Sequence, residues 1–396
     1  MNITCIPYHD WRKIQTEGSR TRDSHIISHL QKDDNVEHLL LVNRPITFLE
    51  LFLKKRNQKI EGELLFKDKN VHLYKLDDKT YLYDYISDDI FSLLRKGKSW
   101  FFDSFSDVSF IAGYKQCLDF LKIEIDVVYS QNIFSSAFVS ALSLPSVFDA
   151  WDNFLLFPDN SKYELSFRNA YQSLAFSAKV WTTNSQKNID FYKEHYKVSD
   201  CVLIKNGVDI SRFQKDYPIP EDLKKLGRSI VGFGGKITHL FNYDFFNYAT
   251  LNNPDKTFVL VGQILDKQVF KRIIMRKNVH YLGDKKYSDY VSYVTNFDIG
   301  IIPYVTDHLE HGADTIKMYE YLASGLQVVG TLGAGMGDMD AFISVANTKE
   351  EFSDMVKQKE CVKQDFSLPE FYTWKSKTQE TLQCLKRVCI DEQIYN

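Results

Sequence analysis

Short apolar runs separated by helix-length stretches recur along the whole chain, and they fall into two sets. The first set is NITCIP (2–7), HLLLVN (38–43), VHLYKL (71–76), IDVVYS (125–130), PSVFDAW (145–151), KVWTTN (179–184) and CVLIKNG (201–207). The second follows residue 228 with SIVGFGG, TFVLVG, VHYLG, FDIGIIPY and LQVVGT. Nearly continuous β-branched or aromatic runs mark strands buried on both faces, so helices must cover a parallel sheet on both sides. Because the pattern occurs twice, it predicts an α/β protein of two Rossmann-like domains with parallel sheets facing each other across a cleft. Ligands of such sheets sit outside the carboxyl ends of the strands, so chemistry is sought in the loops that follow them.

The chain of 396 residues is long for one core, and length alone favours two domains. The boundaries drawn are an N-terminal domain over 1–207, a linker over 208–228, a second domain over 229–373 and a terminal helix over 374–396. The linker assignment rests on DISRFQKDYPIPEDLKKLGRS (209–229), which carries two prolines and many charges without a period. In the terminal stretch Trp374, Thr378, Leu382 and Leu385 fall near one helical face. Residues 44–125 are ambiguous, since FLELFLKKRNQKIEG and LDDKTYLYDYISDD fit either helix or hairpin.

Charge and cysteine usage narrow the function classes. The formal net charge is −3 and is spread evenly over both halves, which argues against nucleic acid as partner. Six scattered cysteines form no C-x-x-C and no zinc spacing, and read as reduced thiols of a cytosolic protein. The start MNITCIPYHDW lacks the basic-then-apolar order of a signal peptide, and no window reaches 18 uninterrupted apolar residues. Peripheral attachment to the inner face of a membrane stays open.

Two segments carry candidate chemistry. VGFGGKITH (231–239) is a glycine-rich turn after a strand, neither a dinucleotide fingerprint nor a P-loop; its Gly234, Gly235 and Lys236 fit either phosphate contact or plain turn geometry. DTIKMYEYLASGLQVVG (314–330) starts with Asp314 or Thr315 as N-cap and places Lys317 in the first turn, with Glu320 one turn on. A cation in the first turn opposes the helix dipole. A bound diphosphate would explain it, with Glu320 accepting from ribose hydroxyls; a solvated Lys–Glu pair is the alternative. The histidines of DHLEHGAD (307–314) and the DMD of 338–340 read as loops, so no metal site is expected.

The second segment resembles the nucleotide-binding segment of GT-B glycosyltransferases of the group-1, family-4 kind. NGVDISRF (206–213), NVHYLGDKKYSDYVSYVTNFDIGIIPY (278–304), PSVFDAWDNF (145–154), VWTTNSQ and FYTWKSKTQETL match other parts of that family in the same order. The resemblance implies Glu320 on the donor ribose, Lys317 near the diphosphate, backbone contacts from Thr315 and Ile316, and Tyr304 against the nucleotide. It places Gly234, Gly235 and Lys236 at the donor phosphates and Gly283 in the base-binding region. Gly312 stands where retaining members carry a second glutamate, with Glu310 or Asp314 as replacements. The tyrosine-then-lysine order is also similar to the inverting glucuronosyltransferase of xanthan assembly.

An inverting transferase needs a general base, for which Asp149 and Asp152 are the carboxylates expected after the PSVF strand. On the acceptor side Gly18, Arg20 and Arg22 follow the first strand, and Gln131 and Asn132 end another. The resemblance thus implies an enzyme moving a sugar from a nucleoside diphosphate sugar, UDP favoured, to a glycan or lipid-linked acceptor, without cofactor; a composition rich in Lys, Asn, Ile and Tyr adds the expectation of an AT-rich bacterial gene and of surface polysaccharide as the product. A nucleotide-sugar epimerase and a non-catalytic binding subunit of the same fold are the alternatives.

Overall fold

The computed structural model describes residues 1–53, 59–227, 229–305, 314–333, 335–360, 362–364 and 368–395. The chain divides into two compact units, Met1–Lys205 with Lys377–Asn396, and Asn206–Ser376.

The first unit contains β1 (Asn2–Ile6), β2 (His38–Val42), β3 (Ile46–Thr47), β4 (Glu63–Asp68), β5 (Val71–Lys75), β6 (Thr80–Ser87), β7 (Val127–Ser130), β8 (Ser146–Asp149), β9 (Val180–Thr183) and β10 (Asp200–Leu203). They form one sheet in the order β10-β9-β8-β7-β1-β2-β6-β5-β4, with β3 on β6. The strands from β10 to β6 run parallel, but β5 runs against β6 and forms an antiparallel hairpin with β4. VHLYKL was expected among the parallel strands. The tight Asp77–Thr80 turn instead returns the chain directly, and a parallel pair has no room for so short a connection. Residues 44–125 thus hold a helix (Phe48–Leu53), this hairpin and further helices, including Val108–Leu121 capped by Asp107. The core is aromatic, with Trp181, Tyr171 and Tyr192 fully buried. The strand order reverses between β1 and β7, so the loops after these two strands flank the switch point where α/β sheets bind ligands.

The second unit holds β11 (Ile230–Gly234), β12 (Thr257–Val261), β13 (Val279–Tyr281), β14 (Ile299–Ile302), β15 (Gln327–Thr331) and β16 (Ser344–Ala346). All pair in parallel in the order β13-β12-β11-β14-β15-β16, with the switch point between β11 and β14. Residues 208–228, expected as a linker, belong to this unit. Phe213 and Leu223 are buried in its core, a burial that their charged neighbours concealed in the sequence. The terminal helix spans Trp374–Tyr395, and Trp374, Thr378, Leu382 and Leu385 are buried. Among the described residues no helix is long and apolar enough to cross a membrane.

Candidate active site

In the second unit the loops at the switch point bring the expected donor residues together. β11 ends at Gly234, whose amide donates to the Tyr321 hydroxyl at 2.7 Å and whose carbonyl accepts from Tyr290 at 3.3 Å. A Cβ on Gly234 would lie 2.6 Å from the Tyr290 ring; one on Gly235 would lie 2.6 Å from Lys317 Cε. Gly235 also has φ 148°, a backbone that side chains disfavour, so glycine is required twice over. Lys236 follows on the same loop. Gly283, after β13, joins this edge through Gly262, whose amide donates to the Gly283 carbonyl at 2.9 Å.

The helix Ile316–Ala323 begins at Thr315, which makes no side-chain cap bond. Lys317 donates to the Tyr304 hydroxyl and lies over the rings of Tyr304 (4.8 Å) and Phe233 (5.5 Å). Its ammonium is thus held against two aromatic faces beside the glycine turn, not released to solvent as a surface pair would be. Tyr304 follows β14, and its amide donates to Thr331 Oγ1 at 2.9 Å.

Glu320 is 4% exposed. Its Oε1 accepts from Tyr287 at 2.8 Å and its Oε2 from Tyr290 at 3.0 Å. Burial pushes the carboxyl above the ordinary glutamate range, opposed by both hydroxyls and by the charges of Lys317 and Arg212. Arg212 also covers the Tyr287 ring at 5.2 Å. The sequence reading did not single out Tyr287, Tyr290, Tyr321 or Arg212. The three-residue spacing of the two tyrosines in KKYSDYVSYV was the available signal, since it puts both on one helical face.

Asp314 does not supply a spare carboxylate. Its oxygens accept from Tyr319 at 2.9 Å and from the Asn206 amide at 2.6 Å, which ties the NGVD turn to the start of the helix. Glu310 and Gly312 lie outside the described residues. Among the described residues no cluster of metal-binding side chains occurs.

In the first unit the expected base and an expected acceptor arginine find each other. Arg22 donates to Asp149 through Nε at 2.8 Å and through Nη2 at 3.1 Å. Asp149, 1% exposed, also accepts from Tyr129 (3.0 Å), Thr182 (2.9 Å) and Gln131 (3.4 Å). Each Asp149 oxygen thus accepts at least two hydrogen bonds, and Arg22 donates as well to the Lys205 carbonyl at 3.3 Å. The two residues expected in separate roles, a base and an acceptor-side arginine, are joined in one buried ion pair. Asp152 is half-buried; its carbonyl accepts from Tyr171 and Tyr192, each at 3.2 Å.

Arg20 pairs with Glu17 at 2.6 Å, beside Gly18, which ends the Trp11–Glu17 helix. Asn132 is committed to local structure, since Nδ2 donates to the Pro7 carbonyl at 3.0 Å and Oδ1 caps the following turn at Phe134. Gln131 is fully buried, and its Oε1 has no partner among the described residues.

This geometry is that of the GT-B fold, and solved structures share it. The catalytic domain of starch synthase IV from Arabidopsis thaliana, bound to ADP and acarbose, superposes with a TM-score of 0.64 at 12% identity, covering 98% of this chain and 99% of that one. Sucrose-phosphate synthase from Thermosynechococcus elongatus gives 0.62 at 11% identity over 100% and 98%. Anabaena HepE in complex with UDP gives 0.58 at 15% identity over 100% and 98%. In sequence, 132 residues are 30% identical to the Bacillus subtilis protein described as "Putative teichuronic acid biosynthesis glycosyltransferase TuaH". That match covers 32% of this chain and 33% of the relative's length. No known family model matches the chain.

Proposed function

We propose that the protein is a glycosyltransferase whose second unit binds a nucleoside diphosphate sugar and whose first unit receives the acceptor. The observation that carries this is Lys317, held in the first turn of a helix between two aromatic rings and against Gly235. An ammonium beside a helix start that the Thr315 side chain does not cap, and a side-chain-free turn, suit a diphosphate, which would neutralise the charge and accept from first-turn N–H groups.

In this reading Thr315 and Ile316 contact the diphosphate through their backbone, while Gly234, Gly235 and Lys236 meet it from the facing loop. Glu320 accepts from the ribose hydroxyls with the lone pairs its tyrosines leave. Tyr304 and Gly283 border the nucleotide. As the bond between sugar and diphosphate breaks, negative charge grows on the leaving oxygen, and Lys317 and the helix N-terminus stabilise it without reorganising. No metal or cofactor is assigned a role.

UDP is the favoured nucleotide because the fold neighbour HepE is bound to UDP. The partial likeness to TuaH favours a bacterial surface polysaccharide, built on a glycan or lipid-linked acceptor in the cytoplasm or at the inner face of the membrane. Gly18, Arg20, Gln131 and Asp152 remain on the acceptor side of this reading. Release of UDP from a panel of UDP-sugars tests it: turnover that vanishes in Lys317→Ala supports the reading, and no release by the native protein from any donor contradicts it.

A further inference from the structure

Two short helices of the first unit leave the same end of one strand pair with apolar side chains turned to solvent. β3 and β6 run in parallel, with Thr47 beside Ser87. The helix Phe48–Leu53 begins directly after Thr47, and the helix Ile90–Lys96 begins three residues after Ser87. β6, β2, β1 and β7 are parallel neighbours, so both helices stand at the carboxyl edge of the sheet, as do the loops after β1 and β7.

Each helix presents an apolar pair to the outside. Phe48 and Phe52 are 64% and 73% exposed, while Glu50 and Leu51 between them are buried. Phe91 and Leu94 are 80% and 68% exposed, and with Ser92 and Arg95 they line a surface cavity. A spacing of four in one helix and three in the other puts each pair on a single helical face. A helix packed on its own sheet turns its apolar stripe inward, so stripes that face out mark a surface with a partner.

The charge around these pairs is one-sided. Residues 44–59 and 88–98 together hold eight Lys or Arg against three Asp or Glu, in a chain whose net charge is −3. Two of the three acids are engaged: Glu50 accepts from Arg44 at 2.9 Å, and Asp89 caps the second helix at the Ser92 amide, 3.0 Å away. Arg95 is exposed one turn after Phe91. Five of the eight cations are lysines, a residue that protein interfaces deplete and that anionic membranes attract. Apolar tips ringed by such cations suit a headgroup layer, where the tips reach the acyl boundary and the cations meet phosphates. At six and seven residues neither helix can span a bilayer, so attachment of this kind lies in the membrane plane and is reversible.

We propose that Phe48, Phe52, Phe91 and Leu94, flanked by Arg95, form a docking surface for a membrane of anionic lipid. The surface stands at the edge of the sheet where ligands of such folds bind. Docking there would bring a lipid-anchored acceptor to the first unit from within its own membrane, a step that rests on the glycosyltransferase reading above.

The test is sedimentation of the full chain with vesicles of phosphatidylcholine alone, and with vesicles of phosphatidylcholine and phosphatidylglycerol in equal parts. Binding to the anionic vesicles is expected, weakened by added salt and at least about tenfold weaker on phosphatidylcholine alone. Phe91→Ser combined with Leu94→Ser is expected to weaken it at least about tenfold, by removing two side chains from the acyl boundary. Arg95→Glu is expected to weaken binding about tenfold on the anionic vesicles and not on phosphatidylcholine. Unfolding midpoints stay native, because every substituted side chain is exposed.

Phe176 is the control: it is 93% exposed, near the end of the helix Glu164–Ser177 that leads to the start of β9 and so to the opposite edge of the sheet. Phe176→Ser is expected to bind as the native chain does. No binding of the native chain to anionic vesicles, native binding by the double variant, or an equal loss in Phe176→Ser overturns the proposal. So does a native dimer that the double variant dissociates while vesicle binding persists, which assigns the face to a second copy. Vesicle binding by a chain that neither binds nor releases UDP overturns the glycosyltransferase reading and leaves the surface standing; UDP release without vesicle binding does the reverse.

Discussion

The hydroxyl of Tyr290 lies 3.0 Å from Glu320 Oε2 and 3.3 Å from the carbonyl of Gly234, so one side chain links the helix carboxylate to the glycine turn. Tyr290→Phe deprives a buried carboxylate oxygen of its donor, which costs about 1–3 kcal/mol of stability. With Glu320 no longer held, UDP affinity is expected to fall about tenfold, equivalent to ~1.4 kcal/mol. Urea unfolding and calorimetry read the two effects, and native values for both would remove the link.

If Glu320 holds the ribose as proposed, nucleotide binding is expected to depend on pH. Its folded pKa lies above the ordinary glutamate value of about 4.3. The group therefore favours folding below that value, and the advantage is lost as pH rises through the raised pKa. Binding runs the other way: ribose hydroxyls need the carboxylate, so affinity drops as pH falls through the raised pKa, before an ordinary glutamate would protonate. The ionisation of free UDP is common to titrations of native protein and Glu320→Gln, so the difference between their pH curves isolates the carboxyl. Parallel curves would show that Glu320 takes no part.

Gly235→Ala places a methyl where Lys317 Cε stands and imposes a side chain at φ 148°. The strain amounts to about 1–3 kcal/mol. Because the clash falls on Lys317, UDP affinity drops together with the thermal midpoint. A variant that melts early yet binds UDP normally would detach the turn from the nucleotide site.

Asp149→Ala leaves the Arg22 guanidinium buried without its carboxylate, which costs about 3–5 kcal/mol. Arg22→Ala strands the carboxylate in the same way, and the double variant loses less than the two singles combined. UDP affinity is unchanged in any variant that still folds. Chemical denaturation of the four proteins checks this, and additive losses would show that the pair is not coupled.

The strand runs of both units and the helix bearing Lys317 and Glu320 were legible because buried parallel strands and first-turn charges leave local patterns. VHLYKL was misplaced because a short apolar run has the same period in a parallel strand as in a hairpin. The fate of Asp149 was hidden for a different reason: its partner Arg22 lies 127 residues away, and only the sheet brings them together. Tyr287 and Tyr290 share a helical face, but they lie 33 and 30 residues from Glu320, and only the fold buries it against them.

The most direct test of the donor site is a calorimetric titration of UDP into the native protein and into Lys317→Ala. Saturable binding by the native chain, weakened at least about tenfold in a variant that still folds, is the predicted result. No heat from the native chain with UDP, ADP or GDP, or equal affinity in Lys317→Ala, would contradict it.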